Sequence, residues 1–302
     1  MLEWVAKENP SVLSITSIYA SDDGNALTYL HRIADAGFSH VLWSHHGYDD
    51  FMYDAGEIQR VRTWLKETGL ALLDVHGSIG IKKVWCSPDE HQRRAGVELV
   101  KNRLELAARL SGQTVIMHTG APDPSDPEPF WEAIHRSLDE LEPFARVLGV
   151  RIALENGTWA VVRPLLAAYS PAFVGHCYDS GHGNLDEAWG LRTAASEPPG
   201  VRLGAGYHPG DEGGLGGLEQ LRDRLICIHL HDNDGASDSH MPLFSGTVDW
   251  ARLARILAAS SYTGPVSLET VMAESGCHDE AAFLAHAFDT GTRFAEMIRM
   301  EV

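Results

Sequence analysis

The sequence predicts a single (β/α)₈ barrel of the TIM type, and three observations support this prediction. Short apolar segments alternate with longer amphipathic segments along the 302 residues. Eight such short segments occur, which is the number of strands in a closed barrel of this type. Their apolar residues run almost continuously, as expected of parallel strands that are buried on both faces. Barrels of this class commonly exceed about 250 residues, so we expect one domain over residues 1–302.

The individual elements follow from the period of the apolar residues. Seven stretches have apolar residues three or four positions apart, which is the helical period. Several end in a glycine before the next strand, as at Thr68-Gly69 and Leu148-Gly149, because glycine tolerates the left-handed conformation at a helix end. The predicted strands are Val12–Ile18, His40–Trp43, Ala71–His76, Thr114–His118, Arg151–Glu155, Phe173–Asp179, Leu225–Leu230 and Pro265–Glu269. The predicted helices are Ala26–Ala36, Glu57–Thr68, Glu90–Leu110, Phe130–Leu148, Arg163–Tyr169, Trp250–Ala259 and Asp279–Met300.

One stretch between the sixth and seventh strands interrupts this alternation. Glu197–Gly217 is rich in glycine and proline and contains His208. This composition does not sustain a helix, and both flanking strands are needed to close the barrel, so we interpret the stretch as a long loop within one domain. Because the active sites of such barrels lie among their loops, we expect this segment to be a mobile lid over the site.

Composition and charge exclude several classes of protein. The chain has 24 basic and 42 acidic side chains and a net charge of −18, which opposes binding to nucleic-acid phosphates or anionic lipid. No apolar run approaches the length of about 18 residues that a membrane span needs, and the N-terminus lacks the pattern of a signal peptide. The four cysteines show no zinc-binding spacing, so we expect reduced, mostly buried thiols in a cytoplasmic protein.

Acidic residues and histidines recur where the predicted strands end. The C-terminal strand ends of a (β/α)₈ barrel all face one mouth, so six of the eight strands would bring carboxylates and imidazoles into one small volume. Carboxylates packed that closely repel one another unless a cation neutralises them, which indicates a divalent-metal site. These residues are His76, His118, Glu155, Asp179, His229 and Glu269, with His182 three positions beyond Asp179.

Each of these residues also has a simpler explanation. A lone histidine is more often a hydrogen-bonding residue than a ligand, and a lone acidic residue at a strand end can cap the following helix. Convergence changes this balance, because independent caps have no reason to select only Asp, Glu and His. Substrate hydrogen bonding remains an equal alternative for the other histidines. The predicted metal ligands are Glu155, Asp179, His229 and Glu269.

Five short motifs occur in order, at barrel spacing, in the second half of the chain. They are ALENG around Glu155, YDSGHGN around Asp179, HLHDNDG around His229, DSH at 238–240 followed by GTVDW, and SLET around Glu269. Weaker support comes from DVHG and MHTG in the first half. On these motifs the sequence resembles the xylose-isomerase-like barrel superfamily, which includes sugar-phosphate isomerases and epimerases, ketose 3-epimerases, inosose dehydratase and endonuclease IV.

The resemblance implies a metal-dependent isomerase or epimerase of sugars, sugar phosphates or related polyols. In such enzymes one metal is held by residues matching the four predicted ligands, and the matching glutamates, here Glu155 and Glu269, also serve as the acid/base pair. The histidine matching His182 contacts the substrate. A metal stabilises the enediolate of a hydroxy-ketone, while one carboxylate removes the carbon-bound proton and the other returns one. We expect one ion, Mn²⁺ or Zn²⁺, and a small carbohydrate substrate.

The same superfamily supplies a second interpretation, a phosphodiester hydrolase. Endonuclease IV binds three zinc ions through nine ligands, and this chain offers a residue of suitable type for each of them. Two of the three zinc ions would lie outside the site of the four predicted ligands. One of these outer ions would share Glu155 with the central ion, and the other would lie beyond Asp179. The five residues that would complete these outer sites, or would instead contact substrate, are His76, His118, His182, Asp238 and His240.

Two features oppose DNA as the substrate. The loop after His76 reads GSIGIKK and lacks the aromatic wedge expected of that nuclease, and the net charge is unfavourable. The run Leu243–Gly246 after His240 also lacks the charged residue of the Pro-Gly-x-Gly turn that is common in the family, so the family's substrate pose does not simply carry over. A third interpretation is a barrel that keeps the metal only as a binding or structural element.

Three further residues are weaker candidates for substrate contact. His46, after the second strand, either reaches the mouth or belongs to a solvated loop. Trp159 and Phe244 could stack on a sugar, although most aromatic residues of this kind pack in the core. We predict no nucleic-acid or membrane partner, and a homo-oligomer remains an open alternative to a monomer.

Overall fold

Eight parallel strands form the centre of the structure, a computed structural model that describes residues 12–21, 24–157, 159–189 and 213–301. The strands are β1 (Leu13–Thr16), β2 (His40–Trp43), β3 (Ala71–His76), β4 (Thr114–Met117), β5 (Arg151–Glu155), β6 (Val174–Asp179), β7 (Leu225–His229) and β8 (Val266–Leu268). They pair in the order β7-β6-β5-β4-β3-β2-β1-β8. A bridge between Leu230 and Leu268 joins the two outer strands of this order, with 2.9 Å from Leu230 N to Ser267 O. The predicted (β/α)₈ barrel is confirmed.

Helices follow the strands and cover the outside of the barrel. In the described part of the chain they are α1 (Ala26–Asp35), α2 (Ala55–Thr68), α3 (Glu90–Arg109), α4 (Glu128–Leu148), α5 (Trp159–Ala168), α6 (Ser180–Trp189), α7 (Gly214–Leu221), α8 (Trp250–Ala258) and α9 (Glu280–Met300). Short 3₁₀ turns lie at Arg222–Arg224 and Met272–Glu274. Among these described helices, none combines the length and the apolar composition needed to cross a membrane.

Local side-chain chemistry sets the helix boundaries. Asp54 Oδ1 accepts from the backbone N–H of Glu57 at 2.8 Å, and Glu57 Oε2 accepts from Asp54 N at 2.7 Å. This reciprocal capping box satisfies two donors at the start of α2. The helix ends at Gly69 in the left-handed conformation, as the sequence predicts. After α3 the residue with positive φ is Ser111, at 67°, and not the glycine that follows it. Gly112 has a different role, since its missing side chain permits close packing against β3.

Successive side chains along each strand point alternately into the narrow interior of the barrel and into a larger apolar layer under the helices. The interior cluster contains one residue each from β2, β4, β5, β6 and β7. Side chains two positions apart on a strand face the same side, so a residue two positions beyond an interior residue points into the barrel mouth. The interior residues are Leu42, Ile116, Ala153, Cys177 and Cys227. Two positions beyond the last three lie Glu155, Asp179 and His229.

Two helices that the sequence did not predict lie around the long Gly/Pro-rich stretch. Most of Glu197–Gly217, including His208, lies outside the described residues, but Gly214–Leu221 is helical. The prediction that this composition excludes a helix is therefore wrong for residues 214–217. Leu215 and Leu218 are buried, and this packing outweighs the low helix propensity of the glycines. The helix α6 contains Gly181, where a Cβ would lie 1.9 Å from a neighbouring histidine ring.

Candidate metal centre

Four side chains from strand ends meet at the barrel mouth. Glu155, Asp179 and His229 are the last residues of β5, β6 and β7, and Glu269 directly follows β8. One ligand atom from each lies within 4.8 Å of the others. We refer to these four residues as the central cluster. The structure therefore brings together the four residues that the sequence predicts to be metal ligands.

The imidazole of His229 links the two glutamates of the central cluster. Its Nδ1 lies 2.8 Å from Glu155 Oε1 and 3.1 Å from Glu269 Oε2. Burial alone would lower the pKa of His229, but Glu269 and Glu155 raise it well above its ordinary value. Burial would likewise raise the pKa of Glu155, yet His118 and His229 hold it well below its ordinary value. The cluster is thus a strongly polar group in a site that is largely closed to water.

The donor set of the central cluster fits a divalent cation. Two donor atoms that each lie about 2.1 Å from one ion are at most about 4.2 Å apart, and the ligand atoms of the central cluster, which all lie within 4.8 Å of one another, come close to that geometry. Three carboxylates and one imidazole suit Mn²⁺, Mg²⁺ or Zn²⁺. A dication would also balance carboxylates that otherwise share a single imidazole.

Other residues of the same motifs tie the strand ends together. Asp179 N donates to Asn156 Oδ1 at 2.6 Å, and Asn156 Nδ2 donates to Asp179 O at 2.9 Å. Ser180 Oγ donates to His231 O at 2.6 Å. Asp179 Oδ1 accepts from His182 N at 2.7 Å and so caps α6. The capping explanation for a strand-end acid therefore holds for Asp179 alongside its place in the central cluster.

His76 and His118 approach the second oxygen of Glu155. Nε2 of His118 lies 2.7 Å from Glu155 Oε2, and Nε2 of His76 lies 3.9 Å from the same atom. Nδ1 of His76 lies 2.7 Å from the carbonyl oxygen of Gly77, which can only accept. Nδ1 therefore carries a proton, and Nε2 is directed toward the cluster, as in many metal-ligating histidines. Burial lowers the pKa of His76, which favours the neutral ring that binds a metal.

A second group surrounds Asp238, on the loop after β7. Asp238 Oδ2 lies 3.3 Å from His182 Nε2 and 3.7 Å from His240 Nε2. Nδ1 of His182 donates to Asn156 O at 3.0 Å, and Nδ1 of His240 donates to Glu269 O at 2.7 Å. Both rings are thus fixed by a carbonyl and present Nε2 to Asp238. Burial would lower the pKa of His240, but the nearby carboxylates of Asp238 and Glu269 raise it to about 9.

His231 belongs to the site, although the sequence did not single it out. It is fully buried, and its Nε2 lies 3.0 Å from Asp179 Oδ1 and 3.1 Å from Oδ2. Its ring stacks on that of His240, with centroids 3.9 Å apart. The missing side chain of Gly181 leaves room for this ring. The signal that could have identified His231 is its position two residues beyond His229, on the same side of the strand.

The three weaker candidates for substrate contact make other contacts. His46 lies on the loop after β2, where its Nδ1 is 2.8 Å from Asp49 Oδ2. Trp159 is 3 % exposed and packs against outward-facing side chains of β6. Phe244 packs against the guanidinium of Arg293, 4.0 Å from the ring centroid. For Trp159 and Phe244 these contacts correspond to the packing role that the sequence also allowed.

The fold and these side chains define a class of protein, a (β/α)₈ barrel whose mouth gathers carboxylates and histidines into a site suited to divalent metal. More particularly, the chain belongs to the xylose isomerase-like TIM barrel family, whose sequence model matches residues 30–287. It is therefore a member of a family related to sugar isomerases and epimerases.

Two curated relatives and two solved structures illustrate this membership. The uncharacterised protein y4fM of Sinorhizobium fredii is 31 % identical in an alignment 299 positions long that covers 89 % of this chain and 88 % of that protein. Fructoselysine 3-epimerase of Escherichia coli O157:H7 is 27 % identical over 184 residues, 61 % of this chain and 62 % of the epimerase. A D-tagatose 3-epimerase-like protein has a TM-score of 0.69 and 18 % identity, covering 96 % of this chain and 99 % of its own. D-psicose 3-epimerase, crystallised in the presence of D-fructose, has a TM-score of 0.67 and 18 % identity, covering 95 % and 99 %. At these identities the structural likeness concerns the fold.

Proposed function

We propose that this protein is a divalent-metal-dependent epimerase or isomerase of a sugar or related polyol, with Glu155 and Glu269 as its proton carriers. The observation that supports this most is the position of both carboxylates against one nitrogen, 2.8 and 3.1 Å from His229 Nδ1. They come from β5 and from the end of β8, so they approach one point from different sides of the mouth. Two carboxylates placed in this way can serve opposite faces of one bound carbon atom.

The chemistry needs a charged base next to an acidic carbon–hydrogen bond. Burial would raise the pKa of both glutamates, but His118 and His229 hold the pKa of Glu155 below its ordinary value, and His229 does so for Glu269, so both are ionised at neutral pH. A divalent cation in the central cluster would bind adjacent oxygens of a hydroxy-ketone and stabilise the negative charge that develops on the substrate. One glutamate takes the proton from the carbon beside the carbonyl, and the other carries the proton that is returned.

The product depends on where that proton returns. Return to the opposite face of the same carbon gives an epimer, and return to the neighbouring carbon gives an aldose–ketose isomer. His118 and His182 lie beside this position, with ring centroids 5.9 Å apart, and can hydrogen-bond the hydroxyl groups of a substrate. The names of the relatives favour epimerisation of a ketose or a ketose derivative.

The proposed function predicts exchange of a carbon-bound hydrogen with solvent. The Mn²⁺-loaded protein is incubated in D₂O with free ketoses, ketose phosphates and fructosamine derivatives, and the sugars are analysed by NMR. We expect a new epimer or isomer that carries deuterium at the carbon next to the carbonyl. If the sugar is converted over many turnovers and neither substrate nor product acquires deuterium, that result would contradict proton transfer by carboxylates that exchange protons with solvent.

A second candidate function, hydrolysis of a phosphodiester at a polynuclear zinc centre, is favoured by the orientation of three histidines. His76, His182 and His240 each donate Nδ1–H to a carbonyl and direct Nε2 into the site, as ligands of additional ions do. Zinc analysis of the folded protein separates the two functions. One ion held by the carboxylates and histidines of the mouth supports the epimerase, and three ions held there together with phosphodiester turnover would replace it by the hydrolase.

A further inference from the structure

Two thiols lie inside the barrel, next to the central cluster. Cys177 of β6 and Cys227 of β7 are partners in register on neighbouring strands, and both are buried. Their sulfur atoms and one ring nitrogen of His229 all lie within 4.8 Å of one another. Each cysteine precedes a member of the central cluster by two positions, so both thiols face the interior below the mouth.

A carboxyl group reaches one of these two thiols from the other side of the barrel. The Cys227 thiol donates to Asp74 Oδ2 of β3, with 3.0 Å between sulfur and oxygen. Asp74 is 3 % exposed, and its Oδ1 is buried without a hydrogen-bond partner. A carboxylate in such a position costs free energy unless a cation or further donors satisfy it. The unpaired oxygen is therefore a second observation beside the two thiols, and a cation bound at this point would satisfy it.

The donors of this group differ chemically from those of the central cluster. Three apolar side chains complete the interior layer around the thiols, and they are Leu42, Ile116 and Ala153. Sulfur ligands select soft cations such as Zn²⁺ and Cu⁺, whereas carboxylates suit Mg²⁺ and Mn²⁺. Two sulfurs, one imidazole and one carboxylate are a suitable donor set for a four-coordinate ion of the Zn²⁺ type.

We propose that Cys177, Cys227, His229 and Asp74 form a second cation site that takes a thiophilic ion of the Zn²⁺ class, and we call it the sulfur site. Binding would form two metal–sulfur bonds and one bond each to His229 Nε2 and an Asp74 oxygen, and the protons carried by the two thiols, by Nε2 and by the Asp74 carboxyl group would pass to solvent. Nδ1 of His229 faces the two glutamates, which leaves Nε2 for the sulfur site. A soft ion is thereby directed to the two thiols and a hard ion to the carboxylates of the mouth, with His229 between the two sites.

Cadmium titration with absorption spectroscopy tests the sulfur site directly. In the presence of a non-thiol reductant, wild-type protein should develop the ultraviolet sulfur-to-cadmium charge-transfer band and saturate at one equivalent of such Cd²⁺ per chain. Cys177→Ser and Cys227→Ser should each lower the apparent affinity for Cd²⁺, measured by this band, at least about tenfold. Loss of a residue that only orients a ligand typically costs about 10–100-fold in metal affinity, and loss of a ligand itself should cost no less. Loss of His229, in His229→Gln, should have a similar effect.

The two remaining cysteines of the chain provide matched controls. Cys86 is buried and Cys277 is partly exposed, and Cys86→Ser and Cys277→Ser should leave the band unchanged. A band that survives in the Cys177→Ser, Cys227→Ser double variant, or that disappears in Cys277→Ser, would overturn the proposal. Circular dichroism of each variant without cadmium establishes that the fold is retained.

A measurement on the wild-type protein tests the sulfur site even if the cysteine variants fail to fold. X-ray absorption at the cadmium edge, with one equivalent bound, should show two sulfur neighbours, and a first shell of oxygen and nitrogen alone would refute the sulfur site. Glu269→Gln distinguishes this inference from the proposed function. That variant should lose epimerase activity and keep the sulfur-to-cadmium band, because Glu269 belongs only to the central cluster.

Discussion

At the scale of single residues, Glu155 is the side chain on which the contacts of the mouth converge. Its Oε1 faces His229 at 2.8 Å, and its Oε2 faces His118 at 2.7 Å. Each oxygen therefore faces a ring nitrogen, and the ionised carboxylate can accept a hydrogen bond at both of them. A glutamine has one oxygen and one NH₂ group, so it would present a donor where an acceptor is required.

Glu155→Gln or Glu269→Gln should reduce turnover by about 10³-fold or more, since each removes a proton carrier and a ligand together. Circular dichroism should be unchanged, because glutamine has nearly the same volume. The measurement is kcat for the substrate identified by deuterium exchange. The exposed Glu274, in the 3₁₀ turn after β8, provides the control Glu274→Gln, which should keep normal turnover. Near-normal kcat in either central variant would remove the acid/base assignment.

His231 contacts both oxygens of Asp179, and we expect it to influence metal binding through that residue. Its Nε2 lies about equally far from both oxygens of that carboxylate, at 3.0 and 3.1 Å. Loss of such an outer partner typically costs about 10–100-fold in metal affinity, and we expect His231→Gln to weaken Mn²⁺ binding by that amount. The readout is the Mn²⁺ concentration for half-maximal activity, with kcat at saturating Mn²⁺ much less affected. His278→Gln, at an exposed position, is the control, and equal metal affinities of the two variants would argue against this role.

At the scale of elements, α3 holds the loop that follows β2. Arg103 is fully buried and donates from Nη1 to Phe51 O at 2.9 Å and from Nη2 to His46 O at 3.2 Å. The neighbouring Asn102 donates to Tyr53 O at 2.8 Å and accepts from Tyr53 N at 2.9 Å. This loop borders the mouth, so a helix on the outside of the barrel fixes part of the rim of the site.

Arg103→Met should lower the free energy of unfolding by about 2–4 kcal/mol, since two partly buried carbonyl groups lose a charged donor. Urea unfolding monitored by circular dichroism measures this change. On the same helix, Arg109 forms an exposed pair with Glu105, and Arg109→Met should change stability by less than about 1 kcal/mol. If the two substitutions cost the same, the buried contacts of Arg103 do not anchor the loop.

The glycine-containing helices α6 and α7 show how packing overrides local preference. Gly181 and Gly183 have low helix propensity, yet a Cβ at either would lie within 2.3 Å of a neighbouring side chain. Both positions therefore need glycine because a neighbouring side chain lies against the backbone there, and not because the chain turns at these residues. In α7, buried Leu215 and Leu218 supply the apolar face. The contact of Gly181 is made by His231, from a distant part of the chain, and leaves no periodic signal in the local sequence.

At the scale of the whole molecule, metal should stabilise the fold as well as support activity. The central cluster joins β5, β6, β7 and the end of β8, and an ion bound there links strands across the join between β7 and β8. A ligand that binds only the folded state at a free concentration of 100 times its Kd adds about 2.7 kcal/mol. For a chain of this size we expect Mn²⁺ to raise Tm by about 5 °C.

Differential scanning calorimetry with chelated and Mn²⁺-saturated protein measures this shift. Asp179→Asn removes one charged oxygen donor of the central cluster and should abolish most of the increase, whereas Glu274→Gln should keep it. Full activity in exhaustively chelated protein would exclude the central cluster as a catalytic metal site. A Tm increase that is equal in Asp179→Asn would place the stabilising ion elsewhere.

The net charge of the molecule leads to a prediction about nucleic acid. With 42 acidic and 24 basic side chains, the chain repels a polyanion at long range. We expect no multiple-turnover nicking of an abasic-site oligonucleotide by zinc-loaded protein, even at low salt, where electrostatic attraction would be strongest if it existed. Denaturing gel electrophoresis is the assay. Catalytic cleavage with about three zinc ions per chain would favour the hydrolase over the epimerase.

The sequence by itself determined the barrel and the central cluster. The apolar strand segments and the helical periods specify the alternation of elements, and an eightfold alternation has few other solutions than this barrel. Because parallel strands end at one mouth, the identity of each last residue is sufficient to gather Glu155, Asp179 and His229. The same topology accounts for Glu269.

Only the tertiary structure decided the contacts that depend on distant side chains. His231 joined the site because Gly181 leaves space for its ring and Asp179 lies on the next strand. The sulfur site depends on strand register, which pairs Cys177 with Cys227, and on the narrow interior, which brings Asp74 across the barrel to the same thiol. A sequence lists residue types along one dimension, whereas register, close approach and the depth of a side chain in the barrel arise only when all eight strands have closed.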